Sequence, residues 1–583
     1  MQIIIRKFIV NVLFALAMVM LFIQSGRAQD PGGVTIIDAR HYSIVLGETR
    51  NYRIFLPPGY SDHLEKRYPV IYFFHGWSQR YFGASDPYSD YDKGDENGGD
   101  NIANFVSQHD VIIVKVDGYN RSPDEKYYVR PWNVTPVETY RQFPLYFPEL
   151  VEHIDSHYRT IADREHRGIS GLSMGGFMTF WIGGKYPHLL SAAGNFCGSP
   201  EFTVGPKDFP VEYRHLDMYN NYAGMNLRLN YGDKDFIRGY HEDMNRMWPQ
   251  IIDNYEYKVY DAAHSTCGMG EMFTFILKTF ENPAARPSPW DHIDVYPEFS
   301  LWNYRVMTDR AAPGFTILEN VDARGFRCSV REFLPDGALL SFVKVSVRTP
   351  PIYEKNHLYT INDVDTRTSK AIQRTIRSDD QGRLMIDING STHEIGINKT
   401  GDKPNVSLVA LDLQGARWAT NGKEVMLTIK ILNKGASVAK NIRATLTATR
   451  PGAQVIKGEV SFGDIAVNEM KTGNSATTFR VSADSIEIQK FKLTFRDDRK
   501  NQWVDYFEIP LKRDLPQIND FEIADGRIFT VAKAGIDTAT IQLGKGNGDG
   551  VANPGESIVI LVKDQNKLWR TDLSGSDPNI NPF

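Results

Sequence analysis

The sequence predicts an α/β domain with a mostly parallel sheet, followed by all-β sandwich modules. Three observations carry this. Up to about residue 280, short apolar runs without alternation, such as 69–74 and 110–116, are interleaved with amphipathic helical stretches, the pattern of a sheet covered on both faces. Beyond a Pro-rich stretch with Pro283, Pro287 and Pro289, helical periodicity almost vanishes and polar and apolar residues alternate. Finally, 583 residues exceed what one core organises, and at about 150 residues per domain imply three or four. A hydrophobic share of 42% excludes a disordered or fibrous chain. With 66 Lys+Arg against 71 Asp+Glu, the charge gives no footprint for nucleic acid or an acidic membrane.

Residues 1–28 have the layout of an export signal. Arg6 and Lys7 precede an apolar run over 8–23, and Ser25, Gly26 and Ala28 lead to Gln29. The run is shorter than the roughly 20 residues of a membrane span, and no Cys stands near the cleavage point for lipid attachment. The expected mature chain begins near Gln29, is exported to the periplasm or the medium, and keeps no membrane span.

The α/β domain is expected over 29–282. Strands are read at 41–46 and 52–56, ending at Pro57-Pro58-Gly59, then at 69–74, 110–116, 168–170, 192–196, 226–231 and 255–260. A helix near Pro148 places Leu150, Val151 and Ile154 on one face. A linker at 283–290 leads to sandwich modules at 291–397 and 398–512, the latter Ig-like, and to a partial module at 513–583. Alternating stretches at 340–347, 425–432, 442–448 and 490–495 supply the strands. Asn421, Gly422 and Glu424 precede one such strand and Asn433-Lys434; Asn553, Gly555 and Glu556 precede another and Asn566-Lys567. The second copy of this short repeat stops early, so the last module is expected to be incomplete.

The chemistry centres on Gly171-Leu172-Ser173-Met174-Gly175-Gly176. It follows a short strand and precedes the helical run 177–185, the context of a nucleophile elbow in which small neighbours let a strained turn present the serine hydroxyl. A serine of ordinary pKa needs a histidine base and a carboxylate to orient it, in the order Ser, Asp or Glu, His. Asp233 and Asp235 follow the strand 226–231 and both are candidates; Asp235, farther into the loop, is favoured, with Asp233 serving the turn. His264, just past the strand 255–260, is the expected base. Oxyanion donors are expected from the backbone N–H of Met174 and, after His75-Gly76, of Trp77.

The motifs Asn51-Tyr52-Arg53-Ile54-Phe55-Leu56-Pro57-Pro58-Gly59-Tyr60, Tyr68-Pro69-Val70-Ile71-Tyr72-Phe73-Phe74-His75-Gly76 and Gly168-Ile169-Ser170-Gly171-Leu172-Ser173-Met174-Gly175-Gly176 together resemble the esterase D family of α/β-hydrolases. Feruloyl esterases, acetyl xylan esterases, enterobactin esterases and mycolyltransferases share that architecture. The resemblance covers about residues 35–282 and implies a Ser173, Asp235, His264 triad and no catalytic cofactor. With export and trailing modules, it implies a carbohydrate-linked feruloyl or acetyl ester as substrate, and polysaccharide as a candidate partner of the C-terminal modules. Rival readings are acyl transfer to a sugar, peptidase activity, or an adhesion protein with a vestigial hydrolase domain.

Other features are weighed beside these. Asp86, Asp90, Asp92, Asp95, Glu96 and Asp100 lack regular calcium-loop spacing and read as a solvated insertion. The aromatic segment Tyr119, Tyr127, Tyr128, Trp132, Tyr140, Phe143, Tyr146 and Phe147 is divided between core and substrate stacking, with Tyr119 and Trp132 the candidate substrate contacts. Asn547, Asp549, Asn553 and Glu556 are candidate ligands of a structural Ca²⁺ in a Gly-rich loop. Cys197, Cys267 and Cys328 allow one bridge or none; Cys197 with Cys267 is the pair to test. Neither zinc spacing nor a phosphate loop is present.

Overall fold

A computed structural model describes residues 33–77, 79–81, 101–118, 132, 142–416, 418–481, 488–512, 521–533, 536–551, 558–564 and 567–571. The expected export signal and the acidic insertion lie outside the described residues. No described helix is long and apolar enough to cross a membrane.

The first domain is an eight-stranded sheet built from β1 (Thr35–Ser43), β2 (Glu48–Leu56), β3 (Val70–Phe74), β4 (Ile112–Val116), β5 (Arg167–Leu172), β6 (Ala192–Phe196), β9 (Asn226–Gly232) and β10 (Tyr255–Tyr260). Its spatial order is β1-β2-β4-β3-β5-β6-β9-β10. β1 and β2 are antiparallel at one edge, and β4 through β10 run parallel. β7 (Glu201–Val204) and β8 (Val211–Arg214) form a separate hairpin. Every residue of β3, β4, β5 and β6 is buried, which is why these strands read as unbroken runs. Helices α1 (Asn101–Val106), α2 (Phe143–His157), α3 (Met174–Lys185), α4 (Arg238–Ile251) and α5 (Met269–Glu281) complete the domain. Two apolar clusters result: one holds Phe147 and Phe180 of α2 and α3 with Trp248 of α4, the other Val106 of α1 and Phe273 of α5.

Several boundaries differ from the sequence reading, among them Glu48–Leu56 for 52–56 and Lys344–Arg348 for 340–347, and two have a visible cause. The first strand covers 35–43 rather than 41–46, because Gly47, at φ 69°, closes a turn by donating to Ser43 O at 3.0 Å. The helix read near Pro148 starts at Phe143, since Pro144 in its first turn has no amide proton to leave unpaired.

Beyond the domain, strands Trp290–Asp294, Phe315–Asp322, Gly325–Arg331, His393–Asn398, Leu358–Asp365 and Lys370–Arg377 form a six-stranded antiparallel sheet in that spatial order. A four-stranded antiparallel sheet, Glu298–Leu301 to Met385–Asn389, accompanies it. Residues of both sheets share one core, including Leu318, Phe326, Val345 and Ile386. Two five-stranded sheets over 406–512 enclose a third core with Ile429, Phe479, Phe491 and Phe507. The chain divides into compact units at Leu511/Lys512. Within the second unit, Phe521–Ala524, Val559–Asp564 and Lys567–Thr571 form a three-stranded sheet, and Arg527–Lys533 pairs with Ile536–Leu543.

Within the first unit the α/β domain and the first sandwich are joined by buried polar contacts. Lys185 Nζ, in the last turn of α3, donates to Asp294 Oδ2 at 2.5 Å, with both side chains at most 5% exposed. Asn221 uses both ends of its amide on the backbone of Ile293, donating to O at 2.8 Å and accepting from N at 2.7 Å. Tyr296 donates its hydroxyl to Gln142. Apolar Ile293, Val295 and Tyr296 belong to the same cluster as Met218, Tyr222 and Trp248. The second sandwich sets cations against the end of α4: Lys490 Nζ donates to Ile251 O at 3.3 Å, and Arg450 donates to Ile252 O at 3.3 Å and to Asp253 at 3.0 Å. Those carbonyls are the negative end of the helix dipole.

Removing one partner of a buried ion pair strands the other charge in low dielectric. Lys185→Ala is therefore expected to lower stability by about 3–5 kcal/mol, measured as a shift of the denaturant midpoint; a shift below 1 kcal/mol would show that Asp294 is satisfied without it.

Candidate active site

β5 ends at Leu172, α3 starts at Met174, and Ser173 between them takes φ 57° and ψ −115°. Few residues with a side chain occupy that region, so surrounding contacts must impose it. Ser173 N–H donates to Phe196 O at 2.9 Å, and its carbonyl accepts from Phe177 N at 3.0 Å. A Cβ on Gly175 would fall 2.2 Å from Phe74 O, and one on Gly171 2.5 Å from Gly175 O. Glycine at these two positions is what lets β3, β5 and α3 meet at the elbow. α3 has no side-chain cap, leaving the N–H groups of its first turn, Met174 included, for an anionic ligand.

The loop after β3 lies against the elbow: a Cβ on Gly76 would sit 3.4 Å from Ser173 Cβ. The loop is anchored from beneath. His75 is fully buried; its Nε2 accepts from Gly118 N at 2.8 Å and its Nδ1 donates to Gly76 O at 2.7 Å, a neutral ring. Burial lowers its pKa in keeping with that state, against the raising contact of Asp117. Asp117 in turn accepts two hydrogen bonds from buried Arg80, at 2.7 and 2.5 Å. Trp77, the next residue but one, is 56% exposed.

Asp235 and His264 meet at the ends of β9 and β10. Two backbone bonds join the loops, Asp233 N to Tyr260 O at 2.8 Å and Lys234 N to Ala262 O at 3.0 Å. The Asp235 carboxylate, buried, accepts from His264 Nδ1 at 3.0 and 3.1 Å and from Ile237 N at 2.9 Å. Asp233 is exposed, and of the two aspartates it is Asp235 that meets His264. Burial opposes the Asp235 charge, but contacts with His241, His264 and Cys197 outweigh it and hold the carboxyl far below its usual range. Burial likewise opposes the His264 charge, yet Asp235 above all, then Cys197, pushes the imidazole up to about 9. His264 Nε2 is buried without a hydrogen-bond partner, and its ring lies 4.6 Å from that of Phe236, which is 80% exposed.

Two neighbours were not read from the sequence as parts of the site. His241, fully buried, sets Nε2 3.5 Å from Asp235 Oδ2. The signal was available: His241, Met244, Trp248 and Ile251 share one buried face of α4. Cys197, just past β6 at φ 50°, is buried and directs its thiol to Ser265 O at 3.4 Å. Its pKa is raised, first by contact with Cys267 and then by burial. All three cysteines are free thiols, so the pair considered for a bridge is adjacent but reduced.

Trp132 corrects the reading that gave it a stacking face for substrate. It is completely buried, packs against Phe74 and Phe143, and donates its indole N–H to His75 O at 2.9 Å. It braces the loop after β3 instead. Phe143, Tyr146 and Phe147 are core, while Tyr119 lies outside the described residues. In the tail, Asn547 and Asp549 spend side-chain oxygens on the loop, accepting from Asp549 N at 2.9 Å and Val551 N at 2.8 Å; Asn553 and Glu556 lie outside the described residues. A cavity of about 1030 Å³ lies elsewhere, among Tyr219, Asp291, Arg327, Lys490 and Glu508.

Because the Gly175 position has no room for a methyl group, Gly175→Ala is expected to destabilise the fold by about 3 kcal/mol or more, read as a thermal midpoint. Unchanged melting would mean that the elbow relaxes around the methyl.

Residues 43–267 match the family described as Putative esterase. Esterase Rv1288 of Mycobacterium tuberculosis is 28% identical over 159 residues, 26% of this chain and 30% of its own. The chain thus spans 30% of the length of the curated relatives it matches. Among solved structures, a ferulic acid esterase is 20% identical, covering 43% of this chain and 100% of that one at a TM-score of 0.35. An S-formylglutathione hydrolase from Staphylococcus aureus is 13% identical, covering 43% and 99% at 0.32. A ferulic acid esterase from Anaeromyces mucronatus is 23% identical, covering 44% and 94% at 0.31. The strand order and the elbow give the region an α/β-hydrolase fold, and its residues 43–267 are those that match the esterase family, within a longer chain.

Proposed function

We propose that the protein is an exported serine carboxylesterase that hydrolyses feruloyl or acetyl esters on polysaccharides or oligosaccharides. The observation that carries this is the strained Ser173 elbow in the same sheet as the bonded Asp235–His264 pair. Ser173 Oγ attacks the ester carbonyl while His264 Nε2 takes its proton, and Asp235 holds Nδ1 and balances the imidazolium. The backbone N–H groups of Met174 and Trp77 receive the oxyanion. His264 returns its proton to the leaving alcohol, and water, activated by the same nitrogen, releases the acid from Ser173. Export rests on residues 1–28, and the acyl class on the sequence resemblance. Exposed aromatic surface at Trp77 and Phe236, beside the elbow and the histidine, suits a phenolic acyl group.

The test is turnover of p-nitrophenyl acetate, methyl ferulate and acetylated, feruloylated or glucuronoyl-esterified polysaccharides, with product identification. Ser173→Ala should lower kcat about a thousandfold or more; unchanged turnover would sink the assignment. Free acid as the product, even with added sugar acceptor, separates hydrolysis from acyl transfer.

The base must be neutral to accept the serine proton. With its pKa up to about 9, the working fraction grows as pH rises, so kcat/KM is expected to climb between pH 6.5 and 9. A plateau already reached at pH 7 would contradict this. His241→Phe removes a contact that shares the Asp235 charge and leaves that charge to His264; the climb should move to higher pH and kcat at pH 7 fall roughly tenfold, about 1.4 kcal/mol, with KM unchanged.

A further inference from the structure

The esterase reading uses Ser173, His264 and Asp235 but leaves the buried thiols beside them without a role. Cys197, Asp235 and His264 each bring one donor atom, a thiol sulfur, a carboxylate oxygen and an imidazole nitrogen, and all three lie within 4.8 Å of one another. Among the described residues this is the single group of three such donors so close together. Two further observations point to a ligand. His264 Nε2 is buried without a hydrogen-bond partner. A second buried thiol, Cys267, stands in contact with Cys197.

We propose that these residues form a binding site for a thiophilic divalent cation, zinc in the first instance, whose occupancy switches the esterase off reversibly. The donor set selects the metal class: sulfur, nitrogen and carboxylate oxygen suit zinc, whereas calcium and magnesium call for six or more oxygens. Bonds of about 2.0–2.3 Å in a tetrahedron place donors roughly 3.3–3.7 Å apart, so side-chain adjustment of about 1 Å closes the group around an ion. On binding, a Zn–S bond forms as the Cys197 thiol proton passes to solvent and a Zn–N bond forms as the His264 imidazolium gives up one ring proton, with no change of oxidation state. The thiolate and the carboxylate then neutralise the ion's two positive charges, so no net charge is introduced into a buried place. Cys267 or a water completes the tetrahedron. Entry is from the side of His264, whose side chain is 19% exposed, since Cys197 is fully buried.

The inhibitory half of this proposal rests on the catalytic reading of His264 and Asp235, whereas metal binding does not. Binding is therefore measured directly, by competition with a chelating dye on the full chain, in parallel with ester turnover. Wild type and Ser173→Ala are expected to take up one zinc per chain with equal affinity; Cys197→Ala should bind at least tenfold more weakly, and magnesium should not compete. Wild-type turnover should fall with the same midpoint as dye-measured occupancy and return on chelation. Cys197→Ser, close to the native shape with a poorer zinc ligand, repeats the test should the alanine variant fail to fold. With cobalt in place of zinc, a thiolate-to-metal charge-transfer band should appear in wild type and Ser173→Ala and be missing from both Cys197 variants. Equal zinc affinity in wild type and Cys197→Ser, or no binding to wild type, overturns the site. Zinc bound through Cys197 with undiminished turnover overturns the switch. A catalytic reading that fails, with full turnover in Ser173→Ala, leaves the dye and cobalt results standing by themselves.

Discussion

A buried carboxylate between two imidazoles is the constraint around which this site is arranged. Asp235 accepts from His264 Nδ1 and from the N–H of Ile237, and His241 Nε2 lies 3.5 Å from its Oδ2. Burying a carboxylate costs several kcal/mol unless it is paired and hydrogen-bonded. Every element that supplies a partner is thereby fixed: α4 through His241, the loop after β10 through His264, and the turn after β9 through Ile237.

Ser173 is held by sterics in place of charge. Ser173 keeps its unfavourable backbone angles because Gly171 and Gly175 allow β3 and α3 to approach closer than any side chain would permit. On the other side of the elbow, the His75 loop is buttressed by Trp132 and by the Arg80–Asp117 pair. A rigid scaffold of parallel strand ends and braced loops suits a reaction whose acceleration depends on donors already aimed at the developing charge.

Much of this was legible in the sequence because parallel sheets leave strong marks. Strands buried on both faces read as unbroken apolar runs, and their ends are where side chains converge, so Ser173, Asp235 and His264 could be placed by counting strands. Trp132 was misjudged because aromatic composition carries no direction: indole on a surface and indole under a loop look alike in a sequence. His241 was overlooked because its role depends on α4 lying against the turn after β9, a long-range fact that no local pattern encodes. The Cys197–Cys267 adjacency was legible as a pair of strand-end positions, while their place beside the His264 imidazole required the folded sheet.

The contacts of Asn221 and Lys185 bear on what counts as a part in this protein. Asn221 offers the backbone of Ile293 a donor and an acceptor, standing in for a neighbouring strand, and Lys185 ends in the carboxylate of Asp294. Cutting the chain at 282 would take these partners away and bare to water the apolar Met218 and Tyr222, which cluster with Ile293 and Val295. The enzyme-like domain and the sandwich behind it are consequently interlocked like mortise and tenon, and a transplanted hydrolase domain would need a redesigned face, whatever sandwich it was given.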